Sequence, residues 1–96
     1  MRPSEIVQRE RETILSLLSR HGLSNVRVFG SAARGEDRDG SDLDLLVDAS
    51  PGTTLLTLVR AKNEIEERLR IPVDLLTEAD LWDRFRHHAL AEARPL

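Results

Sequence analysis

Apolar and polar positions follow two different periods along this chain, and the switches between them mark out its elements. Val7, Ile14, Leu17 and Leu18 recur at helical spacing, which predicts a first helix capped at Ser4 or a neighbour and running to about Arg20, with Gly22 as its stop. Asn25 to Phe29 is short, Val-rich and ends on an aromatic residue, so it predicts a strand. Gly30-Ser31 ends that strand, Ala32-Ala33-Arg34 starts a short helical turn, and Gly35 closes it. Glu36 to Ser41 is polar, contains Gly40 and predicts a loop. Leu43 to Val47 predicts a second strand, and Ser50-Pro51-Gly52 a turn. Leu55, Leu58, Val59, Lys62, Ile65 and Leu69 then form a helical stripe, with Glu64–Arg68 and Glu66–Arg70 spaced as i,i+4 pairs on its outer side. Ile71 to Leu76 predicts a third strand, with Pro72 near its start suiting an edge or a strand entry. A last helix is predicted from Thr77-Glu78-Ala79-Asp80 onward, carrying Leu81, Trp82, Phe85, Ala89 and Leu90.

Helices and strands thus alternate, which predicts an α/β sandwich around a small sheet, with the direction of each strand pair left open. The 96 residues are expected to form a single domain, 1–96. Only 3% of them are aromatic, so the core must be built from Leu, Val, Ile and Ala. No apolar run approaches the length of a membrane span, and the charged N-terminus lacks a signal-peptide core. The absence of cysteine excludes disulfides and Cys-based zinc sites, and a cytoplasmic location is the simplest expectation. The net charge of −3 argues against nucleic acid as a direct partner, since phosphate binding normally needs a basic surface.

Candidate chemistry concentrates in Gly30-Ser31-Ala32-Ala33-Arg34-Gly35 and Ser41-Asp42-Leu43-Asp44-Leu45. A glycine at a strand-to-helix turn lets the backbone approach a ligand, and helix-start N–H groups with a serine hydroxyl suit phosphate. Arg34, one turn on, can offer a forked donor to the same phosphates; the alternative is a plain turn with Arg34 in a surface ion pair. Asp42 and Asp44 are two apart on a predicted strand, so both side chains leave one face, their Cα atoms roughly 6 to 7 Å apart. Carboxylates so placed can converge on cations about 3.5 to 4 Å apart, and magnesium takes such oxygen ligands. Leu43 and Leu45 then face the core. The alternative is a solvated acidic strand end. Asp48 lies too far along the strand to join the metals and reads as a strand-end turn residue. Asp74, between Val73 and Leu75, needs a partner if buried, or is simply an exposed residue of an edge strand.

In order and spacing, Gly-Ser, ten residues, Asp-x-Asp and a later strand Asp resemble the DNA polymerase beta-type nucleotidyltransferase superfamily. More narrowly, the chain resembles the minimal nucleotidyltransferases, whose hallmark is Gly-Ser-x-Ala-Arg-Gly followed by Ser-Asp-x-Asp-Leu, over nearly its whole length. The resemblance implies the polymerase beta-like core: a small mixed β-sheet flanked by helices. It implies a nucleotide site at Gly30, Ser31, Arg34 and Ser41 for ATP. It implies that Asp42, Asp44 and Asp74 are at once catalytic and the ligands of two magnesium ions, with manganese as an alternative. Asp74 would also help deprotonate an attacking hydroxyl. It implies, further, a HEPN-domain toxin as partner, silenced by transfer of AMP to one of its tyrosines, so that this chain acts as the antitoxin. Two other readings stand beside it: an antitoxin acting by contact alone, and a small-molecule nucleotidyltransferase. The brevity of the chain argues against the last, because such enzymes usually carry extra structure for the acceptor.

The remaining candidates read as structural. His87 and His88 are adjacent and diverge on a helix, and His21 lies beside a helix end. Trp82 and Phe85 share a helical face suited to core packing, with a partner interface as the second reading. Arg84, Arg86 and Arg94 are scattered charges.

Overall fold

The N-terminal apolar stripe folds as two helices, α1 (Pro3–Arg9) and α2 (Arg11–Arg20), in a computed structural model that describes residues 1–81 and 83–96. The break is at Glu10, whose backbone leaves the helical region (φ −102, ψ 18). Gln8 to Thr13 has no apolar side chain, so nothing in the pattern marks the change of direction. Pro3 holds the first helical position, which its fixed φ suits, and Ser4 lies inside the first turn rather than capping it. The Arg2 N–H is met by the Glu5 carboxylate instead, at 3.0 Å.

β1 (Leu23–Phe29) begins two residues before the predicted strand, with an irregular register between Ser24 and Arg27, where Asn25 adopts φ +48. α3 (Gly30–Arg34) follows directly, then the predicted loop, then β2 (Leu43–Ala49). Thr54 caps α4 (Leu55–Leu69) by accepting the Thr57 N–H, and Arg70 ends it in the left-handed region at φ +61. The expected pairs on α4 do not appear among the described contacts. Glu66 instead binds Lys62 at 3.2 Å and the Val73 N–H at 2.9 Å, and Glu64 meets His21 at 3.3 Å.

β3 (Val73–Leu76) starts after Pro72, whose carbonyl accepts the Leu43 N–H. Thr77 does not open the last helix. Glu78–Asp80 is a single 3₁₀ turn in which the Asp80 carboxylate accepts from the Thr77 N–H and hydroxyl, and α5 spans Asp83–Glu92. Leu81 therefore precedes the helix, while Trp82 and the side chain of Arg84 lie outside the described residues. A two-residue strand, β4 (Arg94–Pro95), was not predicted.

The sheet order is β3-β2-β1-β4, with β2–β3 parallel and the other pairs antiparallel, so the sheet is mixed. Strand alternation gives its faces different work. On one face Val28, Leu43, Leu45, Val73 and Leu75 meet Ile14, Leu18 and Ile65 of α2 and α4 in the main core. On the other, Phe29 and Leu46 meet Leu81 and Ala89 in a smaller cluster beneath α5. No described helix is long and apolar enough to cross a membrane.

Candidate active site

The register places Phe29 of β1, Asp44 of β2 and Asp74 of β3 side by side in one row across the sheet. The next row, Arg27, Leu46 and Leu76, lies behind it on the same face. Gly30 follows Phe29 immediately and has φ +71, a conformation that disfavours any side chain. A Cβ there would also strike the Asp44 carboxylate, with its carbon at 3.2 Å. Glycine is thus required at this position both by backbone shape and by close approach.

Around this row opens a cleft of about 670 Å³ lined by Phe29, Ser31, Gly40, Ser41, Asp42, Asp44, Asp74, Leu76 and Phe85. Six of the seven residues expected at the site are therefore together: Gly30, Ser31, Ser41, Asp42, Asp44 and Asp74. Leu43 and Leu45 are fully buried beneath them, as alternation required. Asp42 precedes the first residue of β2 and is exposed at the rim. Ser41 closes the loop: its Oγ accepts the Arg38 N–H at 2.9 Å, and its own N–H donates to the Arg38 carbonyl at 3.0 Å.

Arg34 stands apart. Its Nη1 donates to both carboxylate oxygens of Glu92 at 2.8 and 3.0 Å, and its Nε to Glu36 at 3.2 Å. That is the surface ion pair of the alternative reading. The Arg34 charge still reaches Asp44 and pulls its pKa slightly down. Asp48 is likewise not a turn residue: it lies within β2 and binds Arg27 at 2.9 Å and Asn25 at 3.1 Å.

Burial first, then a hydrogen bond with Asp74 and the charges of Asp74 and Asp42, push the Asp44 carboxyl up to about 7. Two carboxyl groups that share a proton in this way are poorly placed to be anions together. A hard divalent cation removes that conflict, and the all-oxygen donor set suits magnesium or manganese. The residues therefore fit such an ion. Among the described residues no group of three acids or histidines already closes around one point, so the fit rests on the Asp44–Asp74 pair with Asp42 at the rim.

Three features escaped the sequence. Asp37 is the one buried charged residue among those described, and its Oδ2 accepts the Ser4 N–H at 2.8 Å, tying the loop to α1. Its partner lies 33 positions away, so no local spacing could show it. Glu92 as the mate of Arg34 is equally remote. The two Phe residues wall the cleft, although helical pattern assigned Phe85 to packing.

Comparison with known proteins decides the family, because residues 10–96 match the nucleotidyltransferase domain. The chain belongs to the nucleotidyltransferase family. This nucleotidyltransferase is 40% identical over 83 residues to a protein of Methanocaldococcus jannaschii assigned as a protein adenylyltransferase, covering 86% of this chain and 89% of the relative. It is 36% identical over 77 residues to the protein adenylyltransferase MntA of Thermococcus cleftensis, covering 75% and 78% respectively. A solved structure described as a minimal nucleotidyltransferase superimposes with a TM-score of 0.86 at 49% identity, covering 97% of this chain and 95% of the other. A toxin–antitoxin crystal structure with AMP-PNP shares the fold, with a TM-score of 0.76 at 20% identity over 88% of this chain and 69% of the other. The mixed four-stranded sheet with its flanking helices is thus the minimal nucleotidyltransferase fold.

Proposed function

We propose that this nucleotidyltransferase transfers AMP from ATP to a tyrosine hydroxyl of a HEPN-domain toxin and thereby acts as its antitoxin. The observation that carries the reading is the Asp44–Asp74 pair beside Gly30-Ser31, in a chain whose relatives are named protein adenylyltransferases. That fold neighbours include toxin–antitoxin complexes, one with AMP-PNP and one named MntA-HepT, supports the choice of nucleotide and partner.

In this reading Ser31 and Ser41 donate to the triphosphate, Gly30 lets the chain approach it, and Arg34 leaves Glu92 to bind it. Asp42, Asp44 and Asp74 hold two divalent ions, magnesium or manganese. Bound there, such ions supply neutralisation of charge on the α-phosphate and the departing pyrophosphate. Asp74 is exposed at the sheet edge, where an incoming hydroxyl can reach it, and its carboxylate accepts that hydroxyl's proton. The buried floor of Phe29 and Leu46 keeps water from the rear of the acids.

The test is transfer of label from α-³²P-ATP with magnesium to a HEPN-domain protein encoded beside this chain, with wild type and Asp44→Asn in parallel. Label from wild type alone is the expected result. Label from the Asn variant would sink the metal assignment. A stable complex without label would replace catalysis by neutralisation through contact.

A further inference from the structure

Six large apolar side chains are exposed among the described residues, and three of them stand within five positions at the start of α4: Leu55 at 76%, Leu56 at 56% and Val59 at 41%. The others, Met1, Phe85 and Leu90, lie at the N-terminus and on α5. Single exposed apolar residues are ordinary, whereas a cluster marks a surface that meets something. Helical geometry divides this cluster. Leu55, Leu58, Val59 and Lys62 share one face at i, i+3, i+4 and i+7, while Leu56 is turned from Leu55 by about 100°.

That face forms one wall of a groove of about 320 Å³. Asp74, Leu75 and Leu76 of β3 form the other, and Asp80 of the 3₁₀ turn also lines it. β3 is the edge of the sheet, with β2 as its neighbour on one side only. Two of the charged groups of the groove are already engaged: Lys62 binds Glu66 at 3.2 Å, and Asp80 accepts from the Thr77 N–H at 2.9 Å and hydroxyl at 3.0 Å. What the groove offers is therefore an apolar wall that runs to Asp74. Asp74 and Leu76 line the catalytic cleft as well, so the two hollows meet at those residues.

We propose that this groove is where the acceptor protein docks: an apolar segment flanking its reactive hydroxyl lies between α4 and β3 and so delivers that hydroxyl to Asp74. The proposal rests on the nucleotidyl-transfer reading above and names the surface which that reading needs. Continuity with the cleft decides the occupant. Whatever sits against Leu55 and Val59 stands next to Asp74, so a permanent occupant such as a second copy of this chain would block the edge by which the hydroxyl enters. A segment of the acceptor is the occupant whose presence there serves the reaction. Its chemistry follows from the walls. A charged side chain laid against Leu55, Leu58 and Val59 would lose water without gaining a partner, so the residues flanking the hydroxyl are uncharged and apolar. Leu76, at the junction of groove and cleft, is placed to carry the ring of a tyrosine.

The experiment uses the full chain and the HEPN-domain protein encoded beside it. Wild type, Leu55→Glu, Val59→Glu and Leu55→Met are compared by label transfer from α-³²P-ATP over a range of acceptor concentrations, and by calorimetric titration with ATP and, separately, with the acceptor. Both positions are exposed, and a carboxylate at the first residue of α4 suits a helix N-terminus, so the variants keep the fold. The expected result is a rise of about tenfold or more in KM for the acceptor in both Glu variants, with kcat and ATP affinity unchanged and Leu55→Met close to wild type. Unchanged acceptor KM in the Glu variants would overturn the docking surface and leave nucleotidyl transfer standing. A parallel loss of ATP affinity would show that the groove only supports the cleft, and would overturn the proposal too. A wild-type dimer in sedimentation that either Glu substitution splits, with acceptor KM unmoved, would give the face to a second copy and overturn it as well. No label from wild type would sink the transfer reading. The acceptor titration then decides the surface by itself: weaker binding by the Glu variants upholds the docking face, and equal binding removes it.

Discussion

At the scale of single residues, the site is a conflict between neighbouring carboxylates. Asp44 is held up to about 7 by burial and then by Asp74 and Asp42. If these acids hold a metal as proposed, a proton competes with it below that pH. Manganese affinity, followed by titration between about pH 5.5 and 8.5, is expected to rise about tenfold per unit up to about 7 and then level. The same shift has the opposite sign for the metal-free protein. The folded state keeps a proton that the unfolded chain has released above its ordinary 3.8, so this contribution to stability declines as pH rises from there towards about 7. Thermal melts without metal should show that decline in wild type relative to Asp44→Asn, which has nothing to titrate there. Gly30 is the second lever. In Gly30→Ala the methyl must displace the Asp44 carboxylate and hold a left-handed backbone, which costs about 1 to 2 kcal/mol. Transfer activity should fall at least tenfold even at temperatures where melts show the variant folded. Full activity there would mean that the Asp44 position is not critical.

At the scale of elements, the parts legible in the sequence were those whose cause is local. The strand and turn around Gly30-Ser31 and the core-facing Leu43 and Leu45 follow from adjacent residues, and the structure has them. The missed features have distant or silent causes. α1 and α2 part within an all-polar stretch, and β4 is an Arg-Pro pair without strand character. Asp37 is the clearest case. Its carboxylate, buried in the loop between α3 and β2, accepts the Ser4 N–H in the first turn of α1 and lies 3.9 Å from Arg2. Burial pushes its pKa up, but the hydrogen bonds from Ser4, its own N–H and the Arg2 charge outweigh that, and the pKa lies below the usual carboxylate range. A depressed pKa stabilises the fold above the unfolded value and ceases to do so as pH falls through the folded one. Asp37→Ala leaves the Ser4 N–H without its acceptor, and about 1 to 3 kcal/mol of stability should go with it, measured by urea unfolding at neutral pH. The difference from wild type should shrink on acidification towards pH 3. A constant difference across that range would assign the loss to packing and not to the charge.

At the scale of the whole molecule, the sheet separates what keeps the chain folded from what equips the cleft. Leu45 and Leu46 are neighbours, both fully buried, and alternation sends them to opposite faces. Leu45 belongs to the large core with α2 and α4, and Leu46 to the small cluster with Phe29, Leu81 and Ala89 that seats α5. Truncating either creates a cavity, and a buried Leu→Ala change costs about 2 to 5 kcal/mol. The consequences should differ in kind. Leu45→Ala removes support from the main core, so global unfolding should become easier, while the molecules that remain folded keep the row of Phe29, Asp44 and Asp74 and bind ATP as wild type does. Leu46→Ala hollows the floor between that row and α5, so the smaller cluster should open locally before the chain unfolds. Amide exchange in α5 should then accelerate ahead of exchange in α2 and α4. Nucleotide affinity should drop, because Phe29, which lines the cleft, loses its packing against Leu46 and that helix. Uniform acceleration of exchange in both variants would mean that the two clusters form one cooperative unit. In that case the cleft could not be loosened without loosening the whole fold, and the separation of faces would be geometric only.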